Sequence, residues 1–486
     1  MKTYQAAPAL LAAGSALIIA LIIPLPAWAH AFGVRYDLPL PLWLYLTGAG
    51  AAVALSFAVM AVFLKDRGAD PEDFHFDLLA LPLVRWLGGP VVLNFVRLLS
   101  LSIFAILLMA GFIGHPDPFK NIAPTFVWVI WWVGMAFVST FAGNLWDLIN
   151  PWKIIFTWLV KRPSAPPRQR LYPAWLGRWP AVLVFLIFAW MELISEQAEQ
   201  PRTLATLIII YSVITWAGMW IYGRDTWLRH GEIFTVTFGF LARFSFSAGA
   251  GGKWHIRLPA VGLLCRQPLH FSGVCFVLLL LTSVTFDGIL ETPLWAGILT
   301  WIAESQVLRP ALLYLQDAGA DLIAVIKTVA LIIFPVIFVA VFFLGSKAIA
   351  WAGGGTVGTR DVAGYFVLSL VPIAIAYHLS HYLSYLLIAG QNIIPMLSDP
   401  FGRGWDLFGT TGYAVDIGIV NAKMIWYVAV TAIVVGHILA VYIGHVMAFR
   451  VFESRALALR SQFPMLILMV GYTMISLWIL SQPIIS

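Results

Sequence analysis

The sequence predicts an all-α protein: a polytopic transmembrane helix bundle of about ten spans after an N-terminal signal peptide or first helix. Three observations carry this reading. Hydrophobic residues fill 61% of 486 positions and charged residues 11%, whereas soluble domains hold roughly 45–50% and 25%. Apolar runs near the ~20 residues that cross a bilayer recur along the chain. Lys and Arg gather in alternate loops, about 20 of the 29 on one side, as the positive-inside rule requires. This composition excludes disorder and fibrous repeats. The net charge of +6 reflects loop placement and gives no sign of a nucleic-acid partner.

Lys2, the apolar run 10–23 and then Ala27-Trp28-Ala29 follow the order of a secretory signal. Cleavage after Ala29 makes His30 the N-terminus, with an amine and an imidazole that together chelate copper; otherwise residues 1–29 are an uncleaved first helix. Residues 30–486 read as a single transmembrane domain. Spans are expected over 42–64, 91–113, 124–142, 181–197, 204–222, 272–288, 320–345, 363–389, 424–448 and 464–483. The basic loops between alternate spans place the mature N-terminus and the C-terminus outside the cytoplasm. Within the long loop 223–271, residues 231–243 are expected as a short interfacial helix and Ser245–Lys253 as a flexible Gly/Ser loop. Residues 289–317 are expected to re-enter the membrane or lie flat on the outer surface. The runs starting at Gly143 and Gly402 echo each other faintly, as Asn-Leu-Trp-Asp-Leu-Ile and Arg-Gly-Trp-Asp-Leu-Phe, without amounting to a repeat. Cys265 falls in a loop and Cys275 in a span, so neither a disulfide nor a zinc-type cluster is expected.

Ionisable groups inside spans are costly and mark function. His378 and His381, three residues apart, share a helix face and offer two nitrogens to one divalent metal. His437 is expected at the same depth, from the rise of its helix, and His445 near the inner interface with Arg450. Glu192, Glu196, Asp287 and Glu291 lie at outer depth, where a carboxylate completes a metal site or acts as general base. Lys327 needs a partner, Asp287 or Glu192, and Arg97 is expected to snorkel or pair locally. Glu192, Asp287, Lys327, His378, His381 and His437 together outline a polar pocket open to the outer face. The loop 391–409, with Asp399, Arg403 and Asp406, is expected to cover it and to pair its charges internally. No Walker loop, G-x-S-x-G, H-E-x-x-H or C-x-x-C-H motif occurs.

The stretches His30-Ala-Phe-Gly-Val-Arg-Tyr-Asp-Leu-Pro-Leu-Pro-Leu-Trp-Leu-Tyr45, Asn121-Ile-Ala-Pro-Thr-Phe-Val-Trp-Val-Ile-Trp-Trp-Val133, Thr285-Phe-Asp-Gly288 and Ser398-Asp-Pro-Phe-Gly-Arg-Gly-Trp-Asp-Leu-Phe-Gly409 resemble a family. It is a bacterial family of polytopic membrane proteins commonly named fenitrothion hydrolase. The resemblance covers most of the chain after the signal. It implies a protein of the bacterial inner membrane and hydrolysis of an organothiophosphate ester, and it brings no catalytic residue set. On the hydrolase expectation, a metal on His378, His381 and His437 activates water, and Asp287 or Glu192 orients or deprotonates it. On the transporter expectation, a metal ion or small solute crosses a midplane site and Lys327 with the carboxylates carries coupling protons. A haem or redox subunit, with His378 and His437 as axial ligands, is the third. The expected partners are the lipid bilayer and a small lipophilic substrate or ion.

Overall fold

The computed structural model describes residues 40–63, 76–160, 170–250 and 252–485. The expected signal segment 1–29 and His30 lie outside these residues. The protein is 77% helical. Among the described residues ten helices are long and apolar enough to cross a membrane, which makes this a multi-pass, all-α membrane protein.

In chain order the helices are α1 (Leu42–Phe63), α2 (Pro90–Ile113), α3 (Ile122–Phe141), the short α4 (Trp146–Ile149) and α5 (Pro151–Leu159), α6 (Trp179–Leu193) and α7 (Pro201–Tyr222). Then come the short α8 (Arg224–His230) and α9 (Ile233–Leu241), α10 (Phe271–Leu290), α11 (Pro293–Glu304) and α12 (Arg309–Asp317). The last four are α13 (Leu322–Ala352), α14 (Thr359–Ser398), α15 (Ala422–Val451) and α16 (Arg455–Ile485). Pro opens α2 and α7, where its missing N–H costs nothing. The Asp321 carboxylate caps α13 through Ile323 and Ala324 N–H, and Asn421 caps α15 through Met424 N–H. Each expected span matches one of the ten. The fourth starts and ends earlier than expected, at Leu193, so Glu196 lies beyond its helix.

Among the described residues, contacts gather Phe76–Asp77, Arg170, Lys253–Ile256 and Arg455 at one end of the bundle, called the basic end below. The opposite end carries α11, α12 and the loop 399–421. Helix α11 buries only Trp295 and α12 buries nothing, so both lie at the periphery of the bundle. The runs at 143 and 402 do not repeat structurally. The first enters α4, where Asp147 pairs with Lys153 at 2.6 Å, and the second is irregular loop.

The core follows α14, which packs along α15 and against α10, while α1 and α16 close on α15. Gly436 permits the α14–α15 approach: a Cβ there would lie 2.6 Å from the Ala376 Cβ and 2.8 Å from the Pro372 carbonyl oxygen. A backbone oxygen cannot move aside without moving its helix. Gly436→Val is expected to cost about 1–3 kcal/mol and to shift the protein from a monodisperse peak toward aggregate on size exclusion. Gly471→Ala, where a Cβ meets nothing within 4 Å, is expected to elute as wild type.

Two pairs of short helices fold back into the bundle from the basic end. At Gly223 (φ 88°) the chain reverses, and α8 returns along α7. The Trp227 ring fills the space that a side chain at Gly218 or Gly231 would need, 2.2 and 2.7 Å from their notional Cβ atoms. The turn after α8 brings Glu232 beside Tyr211, about 16 Å along α7 from Tyr222 at 1.5 Å per residue. Helix α9 then descends, and Phe240 meets Phe276 in the first turns of α10. Segment 231–243 is therefore not an interfacial helix. Ile233, Phe234, Val236, Phe238, Phe240 and Leu241 are all buried, because apolar residues surround the helix and α3, α6 and α14 cover them.

The second pair, α4 and α5, reaches the same level. Ser100, about 15 Å along α2 from Pro90, donates to the Ile149 carbonyl at 2.5 Å, and Trp152 Nε1 donates to Ser212 Oγ at 2.7 Å. The expected flexible loop at 245–253 is instead strand-bearing. Strands β2 (Ser247–Ala250) and β3 (Lys253–Ile256) pair antiparallel, and β1 (Phe76–Asp77) joins the far edge of β3. Ser247 and Trp254 stitch this hairpin through a 2.9 Å hydrogen bond.

Candidate functional site

Asp287 sits one turn from the end of α10, on the side that faces α14. His381 and Tyr382 are consecutive on α14 and bracket its carboxylate: His381 Nε2 and the Tyr382 hydroxyl both donate to Asp287 Oδ2 at 2.8 Å. The pair is mostly shielded, with side-chain exposures of 19% for His381 and 23% for Asp287. Glu192, at the same end of α6, accepts from Trp132 Nε1 at 2.7 Å. Glu192 and Lys327 both lie within electrostatic reach of Asp287. Lys327 is half-buried and makes no ion pair with Asp287 or Glu192 among the described residues, so the direct pairing expected for it is not formed. The group is an imidazole and a phenol on one carboxylate, with a second carboxylate and an ammonium nearby. It can hold and exchange protons at an otherwise apolar level of the bundle.

The three histidines expected to act together take different surroundings. His378 lies between the Phe137 and Tyr382 rings, at 5.2 and 4.8 Å, and its buried Nε2 has no hydrogen-bond partner among the described residues. His437 is fully buried, donates from Nδ1 to the Ile433 carbonyl at 2.8 Å, and faces the Tyr472 ring at 5.8 Å. Tyr472 in turn shares a 2.7 Å hydrogen bond with Thr285. Only His381 joins Asp287. Among the described residues no three His, Cys, Asp or Glu side chains converge as a metal-holding group. His445, expected at the interface with Arg450, is buried in the α15–α16 seam and bonds Gln462 Oε1 at 2.8 Å. Arg97 pairs locally, as expected, with Asn94 Oδ1 at 3.2 Å.

In the loop 399–421 the Asp399 carboxylate does not pair with the Arg403 guanidinium. It accepts the backbone N–H groups of Arg403, Gly404 and Trp405 at 2.5–3.1 Å, closing a turn in which Gly402 and Gly404 have positive φ. Arg403 reaches instead to the Ile113 carbonyl at 3.2 Å, tying the loop to the end of α2. Asp406, fully exposed, accepts from Thr411 N–H, which holds its carboxyl below the usual range.

A second polar centre was not foreseen. Glu232 is 0% exposed, and its carboxylate accepts from six groups. Tyr211 OH donates at 2.5 Å, Thr235 N–H at 2.8 Å, Phe234 N–H at 3.1 Å and Asn150 Nδ2 at 3.1 Å; Trp146 Nε1 approaches at 3.5 Å, and the Thr235 hydroxyl also donates. Two of these are the first free N–H groups of α9, so Glu232 is its N-cap and meets the positive end of its dipole. Asn150 caps α5 in the same way through Lys153 N–H. The two inserted hairpins thus meet tip to tip through Asn150 and Glu232. The signal for this was a lone acid opening an apolar run, Gly231-Glu-Ile-Phe-Thr-Val-Thr-Phe.

No protein-family model, no curated protein and no solved structure matches this chain.

Proposed function

We propose that this is a proton-coupled membrane transporter in which Asp287, His381 and Tyr382 form the proton-exchanging centre. The observation that carries the reading is the shared Asp287 carboxylate, held by an imidazole and a phenol between α10 and α14. Ionisable groups inside a bundle are costly to bury and are the material of ion pathways and proton relays. Helices that enter and turn back midway, as α4–α5 and α8–α9 do, are a recurrent transporter device. By the positive-inside rule the basic end faces the cytoplasm, in a bacterial inner membrane by family resemblance, and the Asp287 centre opens to the outer side.

The test is a pH jump applied to proteoliposomes on a solid-supported membrane. Wild type is expected to give a transient current from proton binding. Asp287→Asn is expected to abolish it, and Glu304→Gln, at an exposed site on α11, to leave it intact. A transient equal in wild type and Asp287→Asn would overturn the reading. The family resemblance favours hydrolysis, for which the Asp287–His381 pair has the form of a general base. Release of nitrophenol from a nitrophenyl phosphotriester, lost in Asp287→Asn and accompanied by no transient, would move the assignment there.

A further inference from the structure

A cavity of about 420 Å³ lies between α2, α3, α6 and α7, directly above the tips of the two inserted hairpins. Its volume falls within the range that holds drug-sized ligands. Its walls are almost wholly apolar: Leu99 and Phe104 on α2, Phe188 on α6, Ile208 on α7 and Phe234 on α9 are representative. Leu99, Ile187, Ile210 and Ile214, which also line it, are exposed on the flank of the bundle, so the cavity opens sideways toward lipid.

The polar atoms on its wall are nearly all engaged. Trp128 Nε1 donates to the Ala198 carbonyl, Trp146 Nε1 to Glu232, Trp152 Nε1 to Ser212 and Ser100 to the Ile149 carbonyl. Glu232, just beneath, is saturated by six donors and has no lone pair left for a cation. The helix ends that point upward are capped, so they do not call for an anion either. Trp131 is the exception. It is the one cavity-lining indole whose N–H makes no hydrogen bond among the described residues. It lies in the stretch Thr125–Val133, where α3 widens to a π-helix and Gly134 N–H reaches back to the Val129 carbonyl. Such stretches are rare and accompany functional sites.

We infer that this cavity binds an uncharged, predominantly apolar molecule bearing one hydrogen-bond acceptor, drawn laterally from the bilayer, with its acceptor on the Trp131 indole. The site is separate from the Asp287 centre, and the inference stands or falls independently of proton coupling.

The test uses benzophenone, an uncharged aromatic ketone that inserts into C–H bonds under ultraviolet light, on the whole protein in nanodiscs. Saturable labelling is expected in peptides of α2, α6 and α7. Filling the cavity with Ile208→Trp is expected to remove the saturable fraction. Trp131→Phe is expected to weaken benzophenone about three- to tenfold, the worth of one hydrogen bond, and to leave competition by diphenylmethane, which lacks the acceptor, unchanged. Should Ile208→Trp fail to fold, saturation in wild type and the Trp131→Phe comparison still decide. Labelling that does not saturate, or that spreads equally over the exposed Val336 and Ile337 face of α13, would overturn the inference. So would a Trp131→Phe protein that binds both compounds as wild type does.

Discussion

Glu232→Ala is expected to destabilise the protein by about 3–5 kcal/mol, the usual cost of breaking a buried charge network by removing one member. The substitution leaves Asn150 Nδ2, Tyr211 OH and two backbone N–H groups of α9 without their acceptor, in a place water does not reach. Each orphaned donor costs about 1–3 kcal/mol, and the costs add incompletely because the tips can part and relax together. Glu232→Gln keeps the shape, but its amide N–H groups face other donors, so it should fall between alanine and wild type. Glu232→Asp keeps a good capping carboxylate one methylene shorter and should be the mildest. Unfolding in detergent, followed by tryptophan fluorescence, should give the order Ala, Gln, Asp from least to most stable. An alanine variant that melts with wild type would show that the hairpins are held by apolar packing alone.

The ease of reading the ten spans and the failure to read these hairpins have one cause. Crossing a bilayer needs a long apolar run, and summed hydropathy over some twenty residues reports it with little dependence on detail. Helices α5 and α9 have nine residues each, too short to register as spans. An apolar nine-residue run beside basic residues has the pattern of a surface-lying helix. What buries α9 is the reversal at Gly223 and the small Gly218 and Gly231 that admit Trp227, which are packing facts without a periodic signature.

Residue counts from span ends give the Asp287 centre only an approximate depth, with Asp287 and Glu192 near the outer end, Lys327 about two turns in and His381 about 14 Å deep. Which of them touch depends on how each helix is rotated about its axis. These helices are apolar on nearly every side, so their sequence gives rotation little preference. His437 illustrates the limit: its expected depth is that of the site, yet it turns to Tyr472 and satisfies Nδ1 on its own helix.

Rotation is also what makes Asp287 and His381 separable by mutation. Asp287→Ala should cost about 2–4 kcal/mol, because it leaves the His381 N–H and the Tyr382 hydroxyl facing an apolar gap. His381→Ala alone should cost less, since Tyr382 still serves the carboxylate. In the double variant the imidazole no longer needs the missing acceptor, so its loss should fall short of the sum by about 1–3 kcal/mol, the coupling of a hydrogen bond that involves a charged partner. Pairing Asp287→Ala with His437→Ala should be additive, because His437 bonds its own backbone. Asp287→Asn is the variant that divides structure from chemistry. Its amide oxygen still accepts from both donors, so it should unfold near wild type, yet it cannot take up a proton. A zero coupling between Asp287 and His381 would mean that the two groups act apart, and the proton-exchanging centre would lose its basis. A stable Asp287→Asn protein that has lost its pH-driven current would locate proton exchange on the carboxylate itself, because nothing else at that position has changed.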